Sequence, residues 1–316
     1  RDANNRWVYL LASEPSVAYV RLKSFAEKTV RELESVFTDL DNDFDALVVD
    51  LRENGGGLLY AARDVSDMFL SSGQIVSTRS RDGRIEESYS ATQGTLIGSD
   101  KPVAVLIDEN SASASEIVAA CLQDNDRAFI GWMRSFGKGT VQEIMPLEYG
   151  RSALRLTVAR DYRPNSQNIH RSADAGEDDE WGVTPDKGFV IPMDDDALFQ
   201  LGLRWREASY PLLAGVDPPA IELPSETTDQ EKSESPLGGL EDPATSRGDL
   251  TPPRVLSEEA KENIARGPAA LDVDPPLRAA VGKLLEQTES SRGFTKPRQA
   301  DSDESEPDDE KSKNAA

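Results

Sequence analysis

Short apolar runs alternate with amphipathic stretches through the first two thirds of the chain. Residues 46–51 and 102–107 are apolar and rich in β-branched side chains, and they predict buried strands. Each run is followed by a turn and then by apolar residues at helical spacing, in 58–69 and in 117–122. Residues 128–132 predict a third strand of this kind. The alternation predicts an α/β core with a mostly parallel sheet.

Turn signals predict two hairpins beside these units. Residues 81–84 place a turn between the apolar pair 75–76 and Ile85, and residues 148–150 place another between strands 141–147 and 153–159. Residues 172–180 are small and acidic, which predicts a solvated loop.

Composition divides the chain of 316 residues into two unequal parts. Of its 20 aromatic residues (9 Phe, 4 Trp, 7 Tyr), only Phe294 lies beyond residue 216, whereas 12 of its 19 prolines lie there. The segment before residue 217 is long enough to bury roughly 70% of the surface that its unfolded chain exposes. The Pro- and acid-rich remainder lacks the apolar area needed to offset the loss of backbone entropy on folding. We therefore expect a core domain in 1–216 and a largely disordered acidic tail in 217–316, with one docking helix at 274–287.

The net charge and the single cysteine and histidine argue against several classes of function. The net charge of −23 and the absence of a basic stripe argue against nucleic-acid binding. The single cysteine, Cys121, allows no intrachain disulfide and is predicted to pack in the core, and the single histidine, His170, cannot complete a structural Cys/His zinc site. No apolar run approaches the roughly 20 residues of a membrane span. Because the chain opens with Arg1, we expect an upstream region to have been removed.

Several segments resemble known binding motifs but lack residues that those motifs require. Residues 131–140 resemble a phosphate-binding loop, but Lys138 is followed by glycine where Ser or Thr is required. Asp41, Asp43 and Asp45 imitate a calcium loop that lacks its glycine and its final glutamate. The acids at 194–196 are better explained as a helix cap. The sequence therefore predicts no metal and no cofactor.

A serine and a lysine remain as candidate chemistry. Ser113 lies in a small-residue turn between a buried strand and an apolar helix, where α/β folds place their sites. Lys138 lies between two glycines, and a lysine can act as a base if burial lowers its pKa from about 10.4 toward 7 to 8. Two structural alternatives stay open: a capping box formed by Ser113 and Glu116, and an exposed turn lysine. A less favoured third alternative is a serine triad that uses His170.

Five ordered segments resemble the C-terminal processing, or tail-specific, peptidases, serine proteases with a Ser-Lys catalytic pair. The resemblance covers roughly residues 17–192, and the 274–285 helix resembles the family's terminal helix. It implies a fold related to the Clp protease and crotonase group, with spiral ββα units. The matching segments are Asp50-Leu-Arg52 with Gly56-Gly-Leu-Leu59, Asn110-Ser-Ala-Ser-Ala-Ser-Glu-Ile-Val118, Leu122-Gln-Asp124, Phe136-Gly-Lys-Gly-Thr-Val-Gln142 and Gly182-Val-Thr-Pro-Asp186.

The resemblance also implies a role for individual residues. Ser113 would be the nucleophile, Lys138 the general base, and Gln142 the residue that orients the lysine. The reaction would form an acyl-enzyme on Ser113 and release the C-terminal product before water completes hydrolysis.

Further roles follow from the same resemblance. The backbone N–H groups of Ala114 and Gly56, with Gly57 as an alternative, would form the oxyanion hole. Asp124 matches an acid near the family's site, and a role in stabilising its helix is an equal alternative.

The implied function is a serine endopeptidase acting on proteins with apolar C-termini in the cell envelope or periplasm. The alternative is a noncatalytic peptide- or ligand-binding relative, because a fold does not establish an activity. The sequence departs from the family at residues 165–168, where Pro-Ser-Gly is usual, and no PDZ domain precedes the core in this sequence. It does not reveal the oligomeric state.

Overall fold

The computed structural model describes residues 9–13, 16–176, 178–209, 271 and 274–293. Of these, 9–190 and 279–293 belong to one compact unit, and 191–209 with 271–278 belong to a second. The strands are β1 (Leu10–Ser13), β2 (Ser16–Arg21), β3 (Ala46–Asp50), β4 (Gln74–Arg79), β5 (Ile85–Ser90), β6 (Val103–Ile107), β7 (Phe129–Trp132), β8 (Thr140–Leu147) and β9 (Ser152–Tyr162). The helices are α1 (Thr29–Asp39), α2 (Leu59–Asp67), α3 (Ala114–Asp124), α4 (Asp195–Ser209) and α5 (Pro275–Gly293), and residues 148–150 form a 3₁₀ turn.

The first unit is built on a five-stranded sheet in the order β1-β2-β3-β6-β7. Strands β2, β3, β6 and β7 are parallel, and only β1 pairs antiparallel at the edge. Every residue of β3 and β6 is buried, as expected for central strands of a parallel sheet covered on both faces. The prediction of an α/β core with a mostly parallel sheet is confirmed for this sheet.

A second sheet has four antiparallel strands in the order β5-β4-β9-β8. The two predicted hairpins, β4–β5 and β8–β9, are both present. The sequence did not predict that β9 would pair with β4 and join them into one sheet. That pairing links positions some eighty residues apart, which no local turn signal specifies.

Helices α1, α2 and α3 bury their apolar faces in one core with the parallel sheet. In α1 the buried positions include Leu33, Val36 and Phe37, at the spacing of one helical face. Helix α3 is buried along nearly its whole length, from Ala114 to Leu122. Consequently its N-terminus is held rigidly against the ends of the strands.

The second unit contains α4 and the first turn of α5. Asp194 Oδ1 accepts the N–H of Ala197 at 2.8 Å, so the predicted cap of α4 is confirmed. Asp274 Oδ1 caps α5 by accepting the N–H of Leu277 at 3.0 Å. Helix α5 runs to Gly293, six residues beyond the predicted end at 287. The rest of the predicted disordered tail lies outside the described residues.

Candidate active site

Three loops leave the carboxyl ends of neighbouring parallel strands and meet at one edge of the sheet. We call them the glycine loop (residues 51–58, after β3), the serine loop (108–113, after β6) and the lysine loop (133–139, after β7). Because β3, β6 and β7 are adjacent and parallel, these ends share an edge. The structure thus brings together the segments that the sequence identified separately.

The serine loop ends in a strained residue. Ser113 has φ +58° and ψ −115°, a conformation that costs a residue with a Cβ on the order of 1–3 kcal/mol. It is half-buried and directly precedes α3, so the first N–H groups of that helix lie beside it. The predicted capping box with Glu116 is also present. The capping box therefore coexists with partial exposure of Ser113.

The glycine loop packs directly on Ser113. A Cβ at Gly56, whose φ is +98°, would lie 2.9 Å from the Ser113 Cβ and 2.9 Å from the Ala114 nitrogen. Only glycine permits this approach. The Gly56 N–H donates to Asn54 Oδ1 at 2.9 Å, whereas the N–H of Ala114, as the first residue of α3, has no partner within the helix.

A single carboxylate joins the serine loop to the lysine loop. Glu116 Oε2 accepts the N–H of Ser113 and the N–H of Lys138, each at 2.8 Å. Its Oε1 accepts the N–H of Gly137 and the hydroxyl of Ser135, each at 2.6 Å. Burial raises the pKa of Glu116, while these four donors favour the ionised form and oppose that rise. Glu116 therefore sets the spacing between the two loops.

The side chain of Lys138 is exposed, and that of Gln142 projects from the exposed face of β8. Among the described residues, no hydrogen bond joins Lys138 Nζ to Ser113 Oγ or to Gln142. The structure therefore brings together the backbones at Ser113 and Lys138 but does not pair their side chains.

His170 lies closer to the lysine loop than the sequence suggested. A Cβ at Gly139 would lie only 2.5 Å from the His170 nitrogen, and His170 lines the same cavity as Lys138. In the described part of the chain, His170 makes no hydrogen bond to Ser113. The alignment of residues 137–139 against 169–171 depends on long-range packing, so no local signal could have found it.

Asp124 lies at the opposite end of α3 from Ser113. Eleven residues of helix separate the two positions by about 16 Å. Asp124 forms a buried ion pair with Arg163, at 2.6 Å between Oδ1 and Nη2, and also accepts the N–H of Asn165 at 3.3 Å. These contacts anchor the turn after β9, so Asp124 is not brought to the serine.

Two buried carboxyl groups near the loops were missed by the sequence reasoning. Burial raises the pKa of Asp108 to about 6, although Oδ1 accepts the N–H of Glu53 and the hydroxyl of Ser111, each at 3.0 Å. Burial, and then the charge of Glu116, raises the pKa of Asp161 to about 6. Asp161 Oδ1 has no hydrogen-bond partner among the described residues.

Cys121 is fully buried in the core, as predicted, and burial raises the pKa of its thiol to about 12. Within the described ranges, no cluster of His, Cys, Asp and Glu side chains is arranged to hold a metal ion. Nor does any helix described here have an apolar stretch that could cross a bilayer.

Known proteins resemble this chain over more than half of its length. It is 45% identical over 179 residues to a carboxy-terminal-processing protease of Bartonella bacilliformis, covering 55% of this chain and 38% of the relative. A chloroplastic C-terminal processing peptidase of Tetradesmus obliquus is 37% identical over 187 residues, covering 58% and 38%. The solved photosystem II D1 C-terminal processing protease shares 36% identity with a TM-score of 0.48, covering 54% of this chain and 42% of that one.

The chain spans about two fifths of the length of these curated relatives. The sequence profile of peptidase family S41 matches residues 16–188, which include all three loops and the whole of both sheets apart from β1. On that match, which covers more than half of its length, the chain belongs to peptidase family S41.

Proposed function

We propose that the chain is a serine endopeptidase that cleaves proteins near their C-termini with Ser113 as nucleophile and Lys138 as general base. The observation that carries the proposal is the Glu116 carboxylate, which accepts the N–H of Ser113 and the N–H of Lys138 from two loops 25 positions apart in sequence. A buried acid that only capped a helix would not need the second loop. The arrangement supports a site in which serine and lysine act together.

In the proposed reaction, neutral Lys138 Nζ removes the proton from Ser113 Oγ as that oxygen attacks the substrate carbonyl carbon. The developing oxyanion is stabilised by the N–H of Ala114 and by the glycine loop, through Gly57 or through Gly56 once Asn54 releases it. The lysine then gives its proton to the leaving amine as the peptide bond breaks. Water, deprotonated by the same lysine, hydrolyses the acyl-enzyme and restores Ser113.

This chemistry requires the Lys138 side chain to turn from solvent toward Ser113. Gly137 and Gly139 flank it, and its backbone is fixed by Glu116, so rotation of side-chain torsions is the motion needed. Gln142 is proposed to orient the lysine once its side chain has turned toward Ser113.

Substrates are proposed to be unfolded proteins or peptides with apolar C-termini, handled in the cell envelope or periplasm. Leu58 in the glycine loop, Tyr60 just after it and Phe136 in the lysine loop are exposed, and they are proposed to contact such apolar segments. The names of the relatives, which include a tail-specific protease of Haemophilus influenzae at 36% identity over 166 residues (48% of this chain, 23% of the relative), support cleavage near the C-terminus.

A noncatalytic peptide-binding role is the second candidate, and one observation favours it. In the described structure the Lys138 side chain is exposed and is not bonded to Ser113. A binding protein would retain the three loops without needing the Ser113–Lys138 pair.

The deciding experiment is degradation of an unfolded protein with an apolar C-terminus by the wild type, Ser113→Ala, Lys138→Ala and Gln142→Ala. We expect the first two variants to lose at least about 10³-fold in rate and Gln142→Ala to lose roughly tenfold. Lys187→Ala, which removes another exposed lysine, is the matched control and should retain full activity. Equal rates in all five proteins would refute the assignment, and binding without cleavage in all five would favour the second candidate.

A further inference from the structure

A cavity of about 910 Å³ opens beside the lysine loop. The lysine loop forms one wall, and residues 170–173 with Trp181 form the other. Ser135 and Lys138 belong to the first wall, so the cavity adjoins the segment that Glu116 ties to Ser113. Nothing in the reaction proposed above uses this space.

Two arginines in the cavity are held by one indole ring. The guanidinium of Arg134 lies 3.9 Å from the centroid of Trp181, and that of Arg171 lies 4.4 Å from it. Arg134 Nε also donates to the Trp181 carbonyl at 3.1 Å and Nη2 to the carbonyl of Asp179. Stacking of this kind restricts a guanidinium to a fixed plane while leaving its edge available for donation.

The lysine loop is shaped to fit this stack. Gly137 has φ +85°, and a Cβ there would lie 2.7 Å from Arg171 Cβ and 2.9 Å from Trp181 Cε3. The Arg171 N–H donates to the Gly137 carbonyl at 2.8 Å. The backbone that carries Lys138 is therefore packed directly on the arginine wall, and the positions of the lysine and of Arg171 are coupled.

The lining is cationic in a chain whose net charge is −23. Lys138, Arg134 and Arg171 face one acidic side chain in the lining, Glu109. Burial and the nearby charge of Arg160 lower the pKa of His170, whose buried Nδ1 has no hydrogen-bond partner in the described part of the chain. Within the described residues the Arg171 side chain donates no hydrogen bond. Arg171 thus offers the cavity guanidinium donors and positive charge, whereas Arg134 donates to the carbonyls of Trp181 and Asp179.

The position of the cavity relative to the scissile bond follows from the proposed reaction, on which this inference rests. The base that deprotonates Ser113 must also protonate the leaving amine, so Lys138 lies on the leaving-group side. The leaving fragment of a C-terminal cleavage is the one that carries the substrate's free carboxylate. We propose that the cavity binds a carboxylate of this leaving segment, with Arg171 as the principal donor.

The carboxylate has two sources, the terminal α-carboxylate or an Asp or Glu side chain in the leaving segment. Binding of four labelled peptides to the 316-residue Ser113→Ala protein separates them. Two peptides share one neutral sequence and end in a free acid or an amide. The other two are amidated and carry Asp or Asn at one position of the leaving segment. Fluorescence anisotropy gives the dissociation constants without requiring cleavage.

We expect acid to bind about threefold to tenfold more tightly than amide, or Asp more tightly than Asn, with the preference weakening at high salt. Arg171→Gln in the Ser113→Ala background should reduce the ratio of the two dissociation constants to about one. Arg81→Gln, which removes an equal charge from an exposed turn outside the cavity, should leave it unchanged.

Equal binding of all four peptides, including binding too weak to measure at millimolar peptide, would overturn the inference. So would a preference that survives Arg171→Gln. Cleavage by the wild type reports separately on the proposed function. If the wild type cuts the peptides without any charge preference, the peptidase assignment stands and the carboxylate site is refuted. If binding shows a charge preference that depends on Arg171 but no peptide is cut, the carboxylate site stands and the peptidase assignment is refuted.

Discussion

At the carboxyl edge of the five-stranded sheet the polar groups are buried and bonded, whereas the outer part of the β8–β9 hairpin exposes both faces to solvent. Glu116 is fully buried and accepts four hydrogen bonds. On the hairpin, Ile144 is 67% exposed and Leu154 and Leu156 are each 45% exposed. Lys138 lies at the junction of the two regions. The backbone that carries Ser113 and Lys138 is therefore held by buried hydrogen bonds, while the Lys138 side chain is exposed to solvent.

The largest effect is expected at Glu116, which joins the serine loop to the lysine loop. Glu116→Gln would place an amide N–H₂ against two of the four donors, and we expect a loss of about 3 to 4 kcal/mol in the free energy of unfolding. Denaturant unfolding measures it. Glu32→Gln, in the first turn of α1, is the exposed control and should cost under about 0.5 kcal/mol.

The catalytic rate of Glu116→Gln is expected to decrease as well. At denaturant-free conditions where Glu116→Gln remains folded, its rate should still decrease at least about 100-fold, because the serine and lysine loops lose their common anchor. A stable, fully active variant would show that the four bonds do not fix the loops.

The Asp124–Arg163 pair should rank second. Asp124→Asn leaves Arg163, which is 8% exposed, without its charged partner, and we expect a loss of about 2 to 3 kcal/mol. Asp126→Asn is the neighbouring exposed control. Because Asp124 lies about 16 Å from Ser113 along α3, the folded variant should keep its rate within about threefold. A large loss of activity in a stably folded protein would instead favour a catalytic role.

Asp161 predicts a pH dependence of stability. Its pKa is raised from 3.8 to about 6, so between these values the folded state binds more protons than the unfolded state, and the wild type loses stability as pH rises. The free energy of unfolding of Asp161→Asn, taken relative to that of the wild type, should increase by about 2 kcal/mol from pH 4 to pH 7. Denaturant unfolding at both values measures the difference, and a constant difference across this range would contradict the assignment.

The smallest effect is expected on the hairpin. Leu154→Ser removes an exposed apolar side chain that faces Met145 across the strands, and it should change the free energy of unfolding by less than about 0.5 kcal/mol. Thermal unfolding and peptidase rate should both match the wild type. A loss above about 1.5 kcal/mol would show that this face is covered in solution.

Local patterns predicted what local physics determines. The strand at 46–51, the helix after Ser113 and the turn at 148–150 all follow from residue type and spacing. The loop that carries Ser113 was located because small residues follow a buried strand, and the loop that carries Lys138 because two glycines flank the lysine at the entrance to a strand.

Those local patterns could not predict contacts between residues that are far apart in the sequence. Glu116 was interpreted only as a capping residue, and its bonds to the lysine loop exist because β6 and β7 are neighbours. Its one sequence signal was an acid inside an otherwise apolar helix. The burial of Asp161 and the contact of two arginines with the Trp181 ring likewise depend on the assembled sheets. Motifs located the candidate residues Ser113 and Lys138, but only the fold revealed which contacts position them.

The most direct test of the central claim is the rate at which a fluorophosphonate labels Ser113 across pH 6 to 10, in the wild type and in Lys138→Ala. Peptide mapping by mass spectrometry identifies the labelled residue. If Lys138 is the base, the wild-type labelling rate rises with pH, and the variant stays unlabelled while folded. Equal labelling of both proteins at every pH would show that Ser113 reacts without Lys138 and would contradict the account.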